Sequence, residues 1–337
     1  MHTDTSLFSR ARPGKSTPKK IRGFLALPGE IRNMVYSNYF CSELRCEFAA
    51  KGCYFKKSTR PAMKLRLNMI EMKNNISKWN TKAEDEGPVT IRISRTLGNY
   101  DTVQGLRTNW HASICALHLV CKAIYAETAA FVYQKTIFVF EAPARINNFC
   151  KIVSKPQLAN ISKLQLHYST YGAPKLLDDT IWQDKHTESW TRACRVASKK
   201  LLCLRNLEVW VHVNHNPLRF NLHQKWVKPV LQFRRLTCSP NSDGHDANLA
   251  TIARQQKNLE IVKVHIQTCW SKEPLRGFSY NEDLAKASAD LHSLFGRAIS
   301  LAILGAKEQE AMSAFNEAWS VTHREWQYHL GYSKTNW

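Results

Sequence analysis

Residues 205–213 read Arg-Asn-Leu-Glu-Val-Trp-Val-His-Val, and residues 257–266 open in the same way, Lys-Asn-Leu-Glu-Ile-Val-Lys-Val-His-Ile. Apolar and polar residues alternate in both stretches, which is typical of a β-strand with one buried face. A third such stretch lies at 161–167, and helical patterns at 180–204, 222–233 and 247–256 separate the three. Strands that alternate with helices of this size predict parallel strands joined by right-handed crossovers. The chain from residue 143 onward is therefore predicted to be an irregular α/β repeat.

The pattern on either side of this repeat completes the predicted fold. The first half predicts a helix at 24–40, strands at 44–48, 63–69 and 88–93, a long helix at 110–133 and a buried strand at 136–140. Residues 282–330 predict two helices, since Gly296 and Gly305 weaken a single long one. The fold class is therefore mixed α/β (α+β). We expect a disordered basic tail at 1–22, a helix with a small β insertion at 23–142, and a repeat domain with a C-terminal helical cap at 143–337.

The predicted helix at 24–40 carries an apolar stripe. Pro28 suits the first position of a helix, where its missing N–H costs nothing. Apolar residues then recur at spacings of three and four, at Leu27, Ile31, Met34, Val35 and Tyr39. This stripe fits two kinds of helix, one packed on the protein's own core and one that docks a partner.

Positive charge is concentrated in a few parts of the sequence. The 337 residues carry a net charge of +21, and segments 1–22, 51–73, 192–205 and 219–235 hold the excess. Segregated positive charge attracts polyanions such as nucleic acid or an acidic protein partner, although a solvated basic face without a ligand has the same composition. Trp226 lies between Lys225 and Lys228, and Trp210 shares a strand face with His212. Aromatic residues among cations can stack on unpaired bases, but a residue that covers the sheet and a solvated basic face explain the same pattern, and we favour that explanation. The candidate polyanion-binding residues are Arg192, Arg195, Lys199, Lys225 and Lys228.

Each of the three predicted repeat strands contains a histidine. Aligning the strands places His167, His212 and His265 at matching positions on one face. If the strands are neighbours in register, the imidazoles lie about 5 Å apart and could hold zinc. A partly solvent-exposed sheet face that tolerates histidine explains the same pattern. In addition, three side chains on one sheet seldom have the geometry to coordinate a tetrahedral ion. We therefore predict no metal site and keep the three histidines as the alternative.

The remaining motifs argue against catalysis and against a membrane location. The sequence has no Gly-x-Ser-x-Gly elbow, no His-Glu-x-x-His, no dinucleotide-binding glycine fingerprint and no kinase motifs, so we predict a protein that is not an enzyme and needs no cofactor. No stretch approaches the roughly 18 apolar residues of a membrane span. The ten cysteines are scattered without a Cys-x-x-Cys pair, which favours reduced thiols. We expect an intracellular protein, in the cytoplasm or nucleus, without a membrane partner.

Two stretches resemble the F-box-like domain of a large group of fungal proteins. Residues 27–36, Leu-Pro-Gly-Glu-Ile-Arg-Asn-Met-Val-Tyr, resemble its first signature, and residues 117–127, Leu-His-Leu-Val-Cys-Lys-Ala-Ile-Tyr-Ala-Glu, resemble the second. The C-terminal half is similar to a degenerate leucine-rich repeat. The resemblance implies an adaptor whose repeat half holds a client protein. Leu27, Pro28, Ile31 and Val35 would then bind the linker subunit of a cullin ubiquitin ligase. The alternative function is that of a basic nucleic-acid-binding protein.

Overall fold

The computed structural model describes residues 23–40, 44–48, 63–64, 89–93, 117, 120–170, 177–213, 220–237, 259–268 and 282–327. The chain divides into two compact units, Met1–Cys41 and Ser42–Trp337. The predicted domains 1–22, 23–142 and 143–337 remain predictions. The predicted tail at 1–22 and the predicted helix at 247–256 lie outside the described residues.

Within residues 23–40, the described part of the first unit, there is one α-helix. A 3₁₀ turn, Phe24–Ala26, leads into α1, Gly29–Tyr39. Pro28 has extended backbone angles and is the residue that precedes the helix, one position earlier than predicted. The α-helix is therefore shorter than the predicted 24–40, because its first residues form the separate 3₁₀ turn.

A parallel sheet forms the centre of the second unit. Its strands are β1 Leu44–Phe48, β2 Met63–Lys64, β3 Val89–Ile93, β4 Thr136–Phe140, β5 Lys163–Ser169, β6 Asn206–Val213 and β7 Ile261–Thr268. Among the described residues these seven strands lie in the order β2-β3-β1-β4-β5-β6-β7, and every neighbouring pair is parallel. The predicted mixed α/β class is confirmed. Because β4 pairs with β1 on one side and β5 on the other, the strands of the predicted insertion and those of the repeat share one sheet.

The helices of the second unit follow the predicted order with three differences. They are α2 Lys122–Lys135, α3 Pro143–Ile152, α4 Lys155–Ala159, α5 Leu177–Lys200, α6 Glu282–Ile303 and α7 Glu308–Glu317, with a 3₁₀ helix at Val230–Leu236. Residues 120 and 121, predicted as helix, precede α2. The segment predicted as a helix at 222–233 forms turns and the 3₁₀ helix, since Pro229 lacks the N–H that an α-helix needs there. Only Gly305, at φ +100°, ends a helix, whereas Gly296 lies inside α6.

One face of the sheet carries the core. Alternate residues of β6 from Leu207 to Val213 are buried, and they cluster with side chains of α3, α5, the 3₁₀ helix and α6. Trp190 of α5 is 1% exposed and Phe295 of α6 is fully buried. On the other face Glu208, Trp210 and His212 are half-buried. The period-two alternation predicted from the sequence thus separates an apolar face from a polar one.

The same hydrogen-bond arrangement introduces two successive strands. The carbonyl of Ser162 accepts hydrogen bonds from the N–H groups of residues 205 and 206, both at 2.9 Å. The carbonyl of Arg205 accepts from the N–H groups of residues 260 and 261, also at 2.9 Å. The backbone therefore makes the same pair of hydrogen bonds at the start of β6 and at the start of β7, so these two strand starts are a structural repeat.

Candidate functional site

The apolar stripe predicted on the first helix is exposed. Its members, defined here as the α1 apolar face, are each 39–56% exposed: Leu27, Ile31, Met34, Val35 and Tyr39. The buried side of α1 lies opposite, at Tyr36 and Phe40. A helix of a globular protein normally turns its apolar stripe toward the core, so α1 presents to water the side chains that such a helix would cover. A group of large apolar side chains on one exposed face is typical of an interaction site.

Local contacts fix the start of α1. The Arg32 guanidinium donates hydrogen bonds to the carbonyls of Leu25 and Leu27, the first at 3.3 Å. The rings of Phe24 and Tyr36 meet edge-on with centroids 5.6 Å apart. These contacts hold the preceding turn against α1, so Leu27 stands in line with the apolar residues of the helix.

Four of the five predicted polyanion-binding residues meet at one cavity of about 330 Å³. It is lined by α5 and the 225–228 segment, and we call it the cationic cavity. Its lining residues are Asp184, Thr187, Glu188, Thr191, Arg192, Arg195, Lys225 and Lys228. The fifth predicted residue, Lys199, lies one helical turn beyond Arg195 and does not line it. The two basic segments that the sequence places apart are therefore neighbours in the fold.

The charges of the cationic cavity are partly compensated within it. Its two carboxylates form ion pairs, Asp184 with Lys225 at 2.9 Å and Glu188 with Arg192 at 2.8 Å. Arg195 donates through Nε to Gln232 Oε1 at 3.2 Å. The Lys228 ammonium has no hydrogen-bond or ion-pair partner in the described part of the chain. Two cations, Arg195 and Lys228, therefore remain without a carboxylate.

Trp226 cannot stack on a ligand at this cavity. Its side chain is 4% exposed and meets Phe295 edge-on at 6.0 Å between centroids. Lys225 and Lys228, on either side of it in sequence, are exposed. Trp210 belongs to the polar face of the sheet and does not line the cavity. Trp226 therefore belongs to the core, which excludes the alternative that it stacks on bases.

The three histidines predicted to align do not form one row. The register places His167 opposite Trp210 and Trp210 opposite His265, while His212 lies two residues further along β6. The prediction matched the strands at their histidines, whereas the hydrogen-bonded register is shifted by two residues on each side and places His212 opposite Ser169 on β5 and Gln267 on β7. Among the described residues no three His, Cys, Asp or Glu side chains are grouped to hold a metal ion.

Trp210 stands between two imidazoles on the polar face of the sheet. Its ring centroid lies 6.3 Å from that of His167 and 4.1 Å from that of His265, with interplanar angles of 13° and 21°. Glu208 Oε1 accepts a hydrogen bond from Trp210 Nε1 at 2.8 Å and lies 3.3 Å from His265 Nε2. We call the three rings the ring ladder. Side chains opposite one another on neighbouring strands stabilise a sheet, and the ladder does so across β5, β6 and β7.

His167 is neutral near pH 7. Burial, with a contribution from nearby Arg45, lowers the pKa of His167 from 6.5 to about 4, and Glu47 and Glu208 oppose this only in part. The oxygen of the Gln165 amide accepts a hydrogen bond from Arg45 at 2.5 Å. The nitrogen of the same amide lies 3.0 Å from His167 Nε2. Nε2 can accept that hydrogen bond only while the imidazole is neutral. The contact and the lowered pKa therefore agree.

We expect stability to fall as the pH decreases from 6.5 toward 4, because the unfolded chain protonates His167 and the folded chain does not. Unfolding by urea at pH 7 and pH 5 measures this loss. His167→Gln should reduce the difference in unfolding free energy between the two pH values by about 1–2 kcal/mol. Burial also lowers the pKa of His292, which is present in both proteins and therefore cancels. The same pH dependence in both proteins would contradict the assignment.

The buried thiols of the second unit are not activated. Burial raises the pKa of Cys150 to about 11 and that of Cys194 to about 12. Because the thiolate is the nucleophilic form, both thiols are unreactive near neutral pH.

None of the described helices is long and apolar enough to cross a membrane.

One comparison with known proteins gives a match. The family model of DUF7730, a domain of unknown function, matches residues 20–235. This range includes α1, the first six strands of the sheet and every lining residue of the cationic cavity. No curated protein and no solved structure matches the chain.

Proposed function

We propose a function from the chain's own surfaces, because the chain belongs to the DUF7730 family and the domain that defines this family is of unknown function. The protein is a non-enzymatic protein-interaction adaptor that acts inside the cell, in the cytoplasm or nucleus. The observation that carries this proposal is the exposure of the α1 apolar face on a helix whose start is held by Arg32. A partner that covers the α1 apolar face removes these apolar side chains from water, which favours binding.

The resemblance of residues 27–36 to the F-box-like domain suggests the partner. It is the small linker subunit of a cullin ubiquitin ligase, and the α/β unit holds a client protein. A full F-box is a set of about three helices, whereas here β1 begins at Leu44, soon after α1 ends at Tyr39. The docking element of the proposed adaptor is therefore one helix, and its affinity depends on few side chains.

Replacing Ile31 and Val35 together with aspartate should abolish this docking. The two side chains lie one turn apart, and burying two carboxylates in place of two aliphatic groups should weaken binding at least about 100-fold. Stability should change by no more than about 0.5 kcal/mol, since both positions are exposed. The measurement is co-purification of the full chain with the linker subunit, followed by a titration of the purified pair.

The matched control is Asn33→Asp with Ser37→Asp. It adds the same two charges at the same spacing, at exposed polar positions outside the α1 apolar face. It should bind as the unchanged chain does. An unchanged chain that is folded but never associates with the linker subunit refutes this partner, and equal binding by both double variants refutes this docking face.

Nucleic-acid binding is the second candidate function. It is favoured by the convergence of Arg192, Arg195, Lys225 and Lys228 on one cavity. If these cations bind single-stranded phosphates, the logarithm of the binding constant should fall with the logarithm of the salt concentration, with a slope of about −0.7 for each contact. Filter binding of an oligonucleotide at two salt concentrations tests this. Binding that is absent at both concentrations removes this candidate.

A further inference from the structure

We propose that the cationic cavity binds a single phosphate monoester. Its volume of about 330 Å³ is within the range of small-ligand sites and holds a phosphate with a small organic group. The cavity contains four cations against two carboxylates, so its net charge favours an anion. None of its lining residues comes from α1, and the inference stands whether or not the α1 apolar face binds a protein.

The two cations without a carboxylate line the same cavity and are connected through Gln232. Gln232 accepts from Arg195 Nε through its amide oxygen, at 3.2 Å, and its amide nitrogen donates to the backbone carbonyl of Lys228 at 3.3 Å. Gln232 therefore links the guanidinium to the segment that carries the ammonium. The terminal nitrogens of Arg195 form no hydrogen bond within the described residues, and two parallel N–H donors match two oxygens of one phosphate. Lys228 adds a point charge to the same anion.

The rest of the cavity favours a compact phosphate over a nucleic-acid chain. Asp184 and Glu188 line it and form ion pairs with Lys225 and Arg192, which leaves only Arg195 and Lys228 without a carboxylate to contact phosphate. Trp226, the aromatic residue between the two lysines, is buried and offers no surface to a base. A monoester carries close to two negative charges at neutral pH, against one for each phosphate of a nucleic acid. Two cations without a carboxylate in one cavity therefore suit the monoester better.

The test is a calorimetric titration of the full chain with O-phosphoserine at constant ionic strength. We expect saturable binding with a Kd of about 1 mM or lower. Dimethyl phosphate, a diester, should bind at least about tenfold more weakly because it carries half the charge. Arg195→Ala and Lys228→Ala should each raise the Kd about tenfold. Gln232→Ala should raise it less, since Gln232 is a positioning residue that acts through Arg195.

Two exposed lysines provide matched controls. Lys286→Ala removes one positive charge from α6, far along the chain from the cavity residues, and Lys199→Ala removes one from α5 next to the cavity. Both should leave the Kd for O-phosphoserine within about twofold, since surface charges act weakly through water. All five alanine variants alter exposed residues or a half-buried glutamine, so thermal unfolding should confirm that they are folded.

A further titration distinguishes the source of the phosphate ester, and three results would overturn the proposal. A phosphoserine peptide that binds more tightly than O-phosphoserine identifies a phosphorylated side chain of a protein as the source, and equal affinity identifies a small phosphate ester. The proposal is overturned if O-phosphoserine shows no saturable binding, or if dimethyl phosphate binds as tightly. It is also overturned if Lys199→Ala weakens binding as much as Lys228→Ala does, because the cations then act as a diffuse basic surface.

Discussion

Gly296→Ala should destabilise the protein by about 3 kcal/mol or more, one of the largest effects expected from any single substitution. An added Cβ at this position would lie 2.2 Å from the carbonyl oxygen of Val264 and 3.3 Å from its carbonyl carbon. Both are backbone atoms of β7, so they cannot turn away as the end of a flexible side chain could. The helix α6 must therefore move away from β7, which separates Phe295 and its neighbours from the core. Urea unfolding of the two proteins measures the difference.

Gly29→Ala is the control for Gly296→Ala. Nothing lies within 4 Å of a Cβ at Gly29, and the residue begins α1 without a positive φ. This substitution should leave the unfolding free energy within about 1 kcal/mol of the original. A Gly296→Ala protein as stable as the Gly29→Ala protein would show that α6 does not approach β7 so closely.

Trp190→Ala should cost about 3–5 kcal/mol, a large part of the stability of a typical domain. Trp190 is 1% exposed, and its ring lies 5.0 Å from that of Tyr168 on β5. Removing the indole leaves a cavity between α5 and the sheet that the surrounding side chains cannot fill. The loss should appear as a lower midpoint of urea unfolding with little change in slope.

Trp182→Ala provides the comparison on the same helix. Trp182 is 58% exposed, and its main partner is the Lys185 ammonium, 4.8 Å above the ring. Exposed cation–π contacts of this kind contribute about 0.5–1 kcal/mol, so the variant should remain close to the original in stability. If both substitutions cost the same, the burial of α5 described for Trp190 is wrong.

The sequence predicts the elements better than it predicts their partners. Period-two alternation identifies β5, β6 and β7 because it reflects one buried face, which is a local property. The register between strands depends on hydrogen bonds between distant residues, and the similar Asn-Leu-Glu phrases at 206–208 and 258–260 match it only with a shift of three residues. The predicted alignment of His212 with His167 and His265 differs from the observed register by two residues on each side, for the same reason.

The two candidate surfaces show the same limit. Helical spacing correctly groups Ile31 with Val35 and Arg192 with Arg195 on single sides of α1 and α5. Spacing does not reveal whether a stripe faces a core or water, and the exposure of α1 came only from the fold. Nor does it bring Lys228 to α5, because a contact between segments distant in sequence leaves no local pattern. The burial of Trp226 between two exposed lysines likewise comes only from the fold.

The shared carbonyl arrangement at the start of β6 and β7 bears on how the length of this chain can vary. Ser162 and Arg205 each receive the incoming strand through two N–H groups, although the crossovers between these points differ in length. The entropy of closing a loop grows only slowly with its length, by about 0.6 kcal/mol for each doubling. Insertions and deletions within the crossovers should therefore be tolerated. If the two N–H groups that bind each carbonyl instead came from residues one position away, the strand would shift by one residue and the opposite set of its side chains would face the core.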